Sequence, residues 1–165
     1  YVGDFVKFGQ GSGSFSGTVT SLGWLETTVR GGNELIHTIP NAKLEGIPVS
    51  NLSRHERCQV EQTLRFHYKD VRKLPALLET MKQEIIAACE PNIVTDGSRP
   101  CRVVWSGYSE RYLEVMVDMH FEGIKPIGDK YWNNRQKVLM AIQLAVDKHD
   151  MEFAVLQCCC KGAVS

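Results

Sequence analysis

Glu114, Asp118 and His120 place two acids and a base at even spacing, with Ser106 and Ser109 a few residues before them. Those residue types are the ingredients of nucleophilic hydrolysis, in which a carboxylate orients a histidine and the histidine takes a serine proton. The spacing argues against that chemistry. Leu113 to Phe121 alternates apolar and polar residues, as a strand does when one face lies on a core. Side chains two apart on a strand face stand parallel and do not converge on a reacting atom. The three polar residues read as a solvated sheet face, and no catalytic residue is assigned.

Other chemical candidates fail on similar grounds. Gly9, Gly11 and Gly13 resemble a phosphate loop, which needs a strand before it and a helix start after it. Here Ser14 to Leu22 is strand-like, so the glycines read as a flexible hairpin connection. The six cysteines, Cys58, Cys89, Cys101, Cys158, Cys159 and Cys160, form no C-x-x-C pair, and no two histidines sit at ligand spacing. No metal and no cofactor is expected. In an extended strand only Cys158 and Cys160 of the triplet share a face. All six read as reduced, small apolar side chains in a cytosol-like compartment.

The 165 residues carry 19 basic and 19 acidic side chains. Zero net charge argues against a bulk nucleic-acid binder, although Arg54, His55 and Arg57 form a local basic cluster. The longest apolar run, Val138 to Val146, contains Gln143. A bilayer span needs roughly 20 apolar residues, so no segment of this sequence crosses a membrane as a helix. The sequence starts inside a strand pattern and reads as an excised fragment.

The elements that would position these residues fall into two regions, 1–54 and 55–165. Before Arg54 there are short strands and glycines. Gly17 and Gly23 interrupt β-rich segments, as at bends or bulges. Gly31, Gly32 and Asn33 are expected to supply the positive φ angles of a hairpin. Pro40 ends a strand, and Asn41 follows in a turn that bonds its own backbone. After the link Ser53 to Arg57 the pattern changes to β-α-β-β-α-β, with strands at Cys58–Tyr68, Arg102–Ser106, Leu113–Phe121 and Met151–Cys160. The first helix, Asp70–Cys89, has a stripe of Val71, Leu74, Leu78, Met81, Ile85 and Ala88; Pro75 fits if hydrogen bonding starts near Lys73. The second, about Lys130–His149, is capped by Asp129 and carries Tyr131, Val138, Leu139, Ile142, Ala145 and Val146. The order is that of a ferredoxin-like module with both helices on one sheet face. Trp24, Trp105 and Trp132 read as core or interface aromatics.

Several short elements occur in a familiar order: Gly3-Asp4 then Val6, Gly17-Thr18-Val19, Leu22-Gly23-Trp24, Thr27 to Arg30, Ile39-Pro40-Asn41 and Asn51-Leu52-Ser53-Arg54. In that order and spacing they resemble the β-domain of small-conductance mechanosensitive (MscS-like) channels, and the resemblance runs to near the C-terminus. It implies an α+β chain, a small Sm-like β-barrel (1–54) followed by a ferredoxin-like α/β domain (55–165). It implies the cytosol-facing assembly and solute-filtering vestibule of a tension-gated ion channel, with pore helices upstream of Tyr1. The implied partners are identical subunits in a homoheptamer, with ions and small osmolytes passing through and the membrane reached through the upstream helices. No nucleic acid and no enzymatic activity are expected. The assembly residues so indicated are Gly17, Gly23, Trp24, Arg30, Pro40, Asn41, Asn51 and Ser53. Arg54 and Arg57 fall near the side portals of such a vestibule. Two features depart from the family's usual pattern: the Gly9 to Ser14 loop is longer and richer in glycine, and no proline follows Phe153. If Cys158 and Cys160 met their copies in neighbouring subunits, an oxidant would cross-link them. The competing reading is a soluble Sm-like adaptor that binds RNA or a protein partner.

Overall fold

The computed structural model describes residues 1–154, and its chain divides into two compact units. Residues 1–58 and 123–132 form the first, residues 59–122 and 133 onward the second. In the first unit, β1 (Phe5–Phe8), β2 (Phe15–Leu22), β3 (Glu26–Gly31), β4 (Ile36–Pro40) and β5 (Val49–Asn51) make an antiparallel sheet. Its order is β4-β3-β2-β1-β5, with β4 and β5 at the two ends. Alternate residues Val6, Phe8, Val19 and Val29 turn inward, and Phe15, Ile39, Leu44 and Ile47 close over them. A one-turn helix, α1 (Asn41–Leu44), follows β4. The segment 123–132 joins this unit partly through Gly123, whose amide donates to the Glu56 carbonyl at 2.8 Å.

Local backbone detail departs from expectation at one turn and at one strand pair. None of Gly31, Gly32 and Asn33 takes a positive φ; Glu34 does, at 63°. The Glu34 amide donates to Gly31 O (3.0 Å) and the Gly31 amide to Leu35 O (2.8 Å), so a turn is closed by one left-handed residue, a standard longer hairpin loop. The register shift of the β2–β3 pair falls between Val19 and Ser21, beyond Gly17 and before Gly23.

The second unit contains β6 (Arg57–Phe66), α2 (Leu74–Cys89), β7 (Cys101–Tyr108), β8 (Leu113–Glu122) and α3 (Asp129–Lys148), the ends of β6 and α3 belonging to the first unit. The strands pair in the order β6-β8-β7, and Phe153 bridges antiparallel to Phe66 on the other side of β6. Counted in chain order this is the 4-1-3-2 arrangement of a ferredoxin-like sheet. The fold is α+β, a β-domain followed by a ferredoxin-like α/β domain. Leu113, Val115, Val117, Met119 and Phe121 are fully buried, as their alternation predicts. Pro75 sits in the first turn of α2, where a missing amide costs nothing.

The helix stripes keep their period but shift in phase. In α2 the buried residues are Leu74, Leu77, Met81, Ile85 and Cys89, whereas Leu78 is half-buried and Ala88 exposed. Two neighbouring positions lie equally near a 3.6-residue stripe, and contact with the sheet selects one of them. In α3, Asn134 and Ala141 are buried while Leu139 is 41% exposed. β7 also runs further than expected, to Tyr108, across a register shift between Trp105 and Gly107. The Ala154 amide donates to Arg65 O, extending the bridge at Phe153 by one bond. The rest of the expected last strand, including Cys158, Cys159 and Cys160, lies outside the described residues.

Candidate functional site

Two members of the acid–base triplet on β8 are ion-paired, Asp118 with Arg102 and Glu114 with Arg65, and Asp118 is not solvated. Asp118 is buried, accepting from Gln59 Nε2 (2.8 Å) and Arg102 (3.1 Å). His120 Nδ1 lies 3.0 Å from the Pro100 carbonyl oxygen, so that nitrogen carries the proton. Ser106 Oγ donates to the Glu114 carbonyl at 3.0 Å. Each group is occupied structurally. Alternation alone misses the burial of Asp118 because the partners come from β6 and β7. Among the described residues no group of three or more His, Cys, Asp or Glu side chains is placed to hold a metal ion. Cys58, Cys89 and Cys101 are free thiols; burial pushes Cys58 up to about 11 and raises the other two, which keeps them protonated and unreactive.

The residues singled out in the first 54 positions gather instead around backbone contacts. Gly17 lies in β2 opposite Gly31, where a Cβ would stand 2.3 Å from the Arg30 carbonyl oxygen. At Gly23 a Cβ would meet the Glu26 oxygen at 2.9 Å. Both glycines are therefore required by close approach of backbone rather than by φ. Pro40 is the last residue of β4. Asn41 does not bond its own backbone. Its Nδ2 donates to the carbonyls of Gly23 (2.9 Å) and Trp24 (3.0 Å), and its Oδ1 accepts from Thr27 Oγ1 (2.8 Å). It clamps the β2–β3 hairpin from 14 to 18 residues away, a distance that a local turn rule does not reach. The clamped tip carries Trp24 at 100% and Leu25 at 83% exposure. Arg30 is exposed on β3 near Glu34 (4.0 Å).

A second cluster joins positions almost fifty residues apart. Asp4 Oδ2 accepts from Asn51 Nδ2 at 2.7 Å and lies 3.1 Å from Arg54 Nε. The Tyr1 amino group is 3.3 Å from the same oxygen. Asn51 Oδ1 accepts the amides of Ser53 (3.1 Å) and Arg54 (3.2 Å), fixing a turn. Ser53 Oγ accepts the Phe5 amide at 2.6 Å, and the Leu52 amide donates to Phe5 O at 2.9 Å. The Arg54 guanidinium lies 4.2 Å from the Tyr1 ring centroid, over the face of the ring. The Asn51 hydrogen bond holds the Asp4 carboxyl below its usual value, helped by the Tyr1 amino group and Arg54 and opposed by desolvation. Arg57 stands exposed at the first position of β6.

Several of the short elements that share an order in the sequence thus meet in two clusters, one around Asn41 and one around Asp4. Residues 1–54 match the family model described as the mechanosensitive ion channel beta-domain. Those 54 residues are similar to a mechanosensitive ion channel β-domain. The fold of the whole chain agrees. It is similar to the cryo-EM structure of Arabidopsis thaliana MSL1, with TM-score 0.76 and 16% identity over 94% of this chain and 53% of that one. It is also similar to the crystal structure of Helicobacter pylori MscS in its closed state, with TM-score 0.71 and 19% identity over 94% of this chain and 56% of that one. No curated protein sequence matches the chain. The chain has the soluble-domain fold of MscS-like channels, a channel β-domain followed by the α/β domain, and spans about half the length of these structures. No helix among the described residues is long and apolar enough to cross a membrane.

Proposed function

We propose that this chain is the assembly and solute-filtering part of a tension-gated ion channel. It stands below pore helices that precede Tyr1 and faces the cytoplasm or an organelle interior. The observation that carries the reading is the match of residues 1–54 to the channel β-domain. Seven identical copies form a closed ring. The β-domain supports this reading through its two end strands, β4 and β5, which leave Ile36 and Val49 more than half exposed. Unpaired strand edges demand cover, and a head-to-tail ring covers each copy equally. Gly17, Gly23, Pro40, Asn41, Asn51 and Ser53 hold the shape of the repeating unit, and Trp24 and Arg30 offer exposed contacts to a neighbour. Arg54 and Arg57 bias ion passage at the side portals. Asp4 neutralises part of the Arg54 charge.

In this reading membrane tension acts on the upstream helices, and the chain contributes assembly and coarse filtering; no enzymatic step is assigned to it. Recording from the full-length protein in a stretched membrane patch tests the proposal. Current that rises with applied tension is the expected result, and a silent patch containing the inserted protein would overturn it.

A further inference from the structure

The residues that bind Asp4 lie at opposite ends of the β-domain's chain. Residues Tyr1 to Phe5 lead into β1, whereas Asn51 to Arg54 follow β5 and lead out towards β6. β1 and β5 are paired, Val6 opposite Asn51 and Phe8 opposite Val49, so the way in and the way out run side by side. One further backbone bond runs from the Leu52 amide to Phe5 O, and beyond it side chains take over. Ser53 Oγ receives the Phe5 amide, Asp4 receives Asn51 Nδ2 and Arg54 Nε, and the Arg54 guanidinium covers the Tyr1 ring. Asn51 works in both directions, donating to Asp4 and accepting the Ser53 and Arg54 amides that shape the outgoing turn. Asp4 is 16% exposed and Arg54 55% exposed. An isolated exposed pair contributes little, but here each member is also held by a second bond or ring contact, the condition under which such groups act as a unit.

We infer that Asp4, Asn51 and Arg54 form a latch that ties the entry of the β-domain to its exit, so that displacing either segment displaces the other. The inference rests on the channel reading in one respect, that a membrane helix enters at Tyr1. In that setting the latch passes movement of the pore helix to the linker after the β-domain without routing it through the small core of Val6, Phe8, Val19 and Val29. The planar guanidinium is needed because it meets a carboxylate and a ring face together, which an ammonium does not do as well.

Amide hydrogen exchange on this chain tests the coupling independently of channel activity. Arg54→Ala is expected to speed exchange several-fold at Phe5, on the incoming side, and Asp4→Asn at Leu52, Ser53 and Arg54, on the outgoing side. Exchange at Val19 and Val29 should hold steady, which reports that the unit remains folded. Arg54→Lys should give most of the Arg54→Ala effect, and the swap Asp4→Arg with Arg54→Asp should recover part of the protection. Faster exchange confined to the mutated side would overturn the latch, as would no change on either side. In stretched patches of the full-length protein, Asp4→Ala and Arg54→Ala should shift the opening tension in the same direction and fail to add when combined. Wild-type current with additive or absent shifts would sink the latch and leave the channel reading standing, whereas absent wild-type current would sink that reading.

Discussion

The β-domain and the α/β domain are held together by different means. The second unit buries long continuous rows, among them Leu113, Val115, Val117, Met119 and Phe121 on β8 and Leu74, Leu77, Met81 and Ile85 on α2. The β-domain has a core cluster of four buried residues and fixes its shape with glycines at tight approaches and polar side chains on backbone groups. A large apolar core specifies a fold through hydration, which tolerates changes on its surface. A small one depends on individual contacts, so its surface and loop residues decide its geometry. In the proposed ring, that difference suits a unit whose shape must match its own copies.

Substitutions in the two domains should expose these two kinds of dependence separately. The largest effect is expected for Phe121→Ala in β8, where loss of a fully buried ring costs about 3–5 kcal/mol. Urea unfolding should register this loss, while amide protection in β1 to β5 should stay unchanged. Next is Gly17→Ala in the β-domain, where a methyl must displace the Arg30 carbonyl and the cost is about 1–3 kcal/mol. Gly46→Ala, with open space around the position, is the control and should unfold like wild type. A Gly17→Ala protein as stable as that control would show that the β-domain does not depend on close backbone approach. Asn41→Ala removes three hydrogen bonds at a half-buried site and should lower stability by about 1–2 kcal/mol. It should also raise exchange at the Gly23 to Thr27 hairpin.

The smallest effect sharpens the comparison through pH. Asp4 has a folded-state pKa below its unfolded one, chiefly through Asn51. Its stabilisation is therefore present above about pH 4 and lost as pH falls through the lower, folded value. Asp4→Asn should be less stable than wild type at neutral pH, and the gap should close below about pH 4. A gap that persists in acid would mean that the carboxylate's charge plays no part in the latch.

The same contrast explains what the sequence made legible. Period-two and 3.6-residue patterns located β8, α2 and α3 because a large core imposes them over many residues. The phase errors, Leu78 for Leu77 and Ala88 for Cys89, arise where two positions serve the stripe equally well. In the β-domain the important residues could be picked out, but their partners could not. The sequence pattern makes Asn41 a local turn residue and Asp118 a solvated one; both bind across strands, and a linear pattern carries no information on that pairing. Glu34 took the left-handed position expected of its glycine neighbours because the turn geometry, rather than residue preference, set where φ had to change sign.

The proposed function requires identical copies that close into a ring around an aqueous chamber. Native mass spectrometry of the full-length protein in detergent tests that most directly. A dominant species of seven subunits is expected; a protein that remains monomeric across the whole concentration range would rule the ring out.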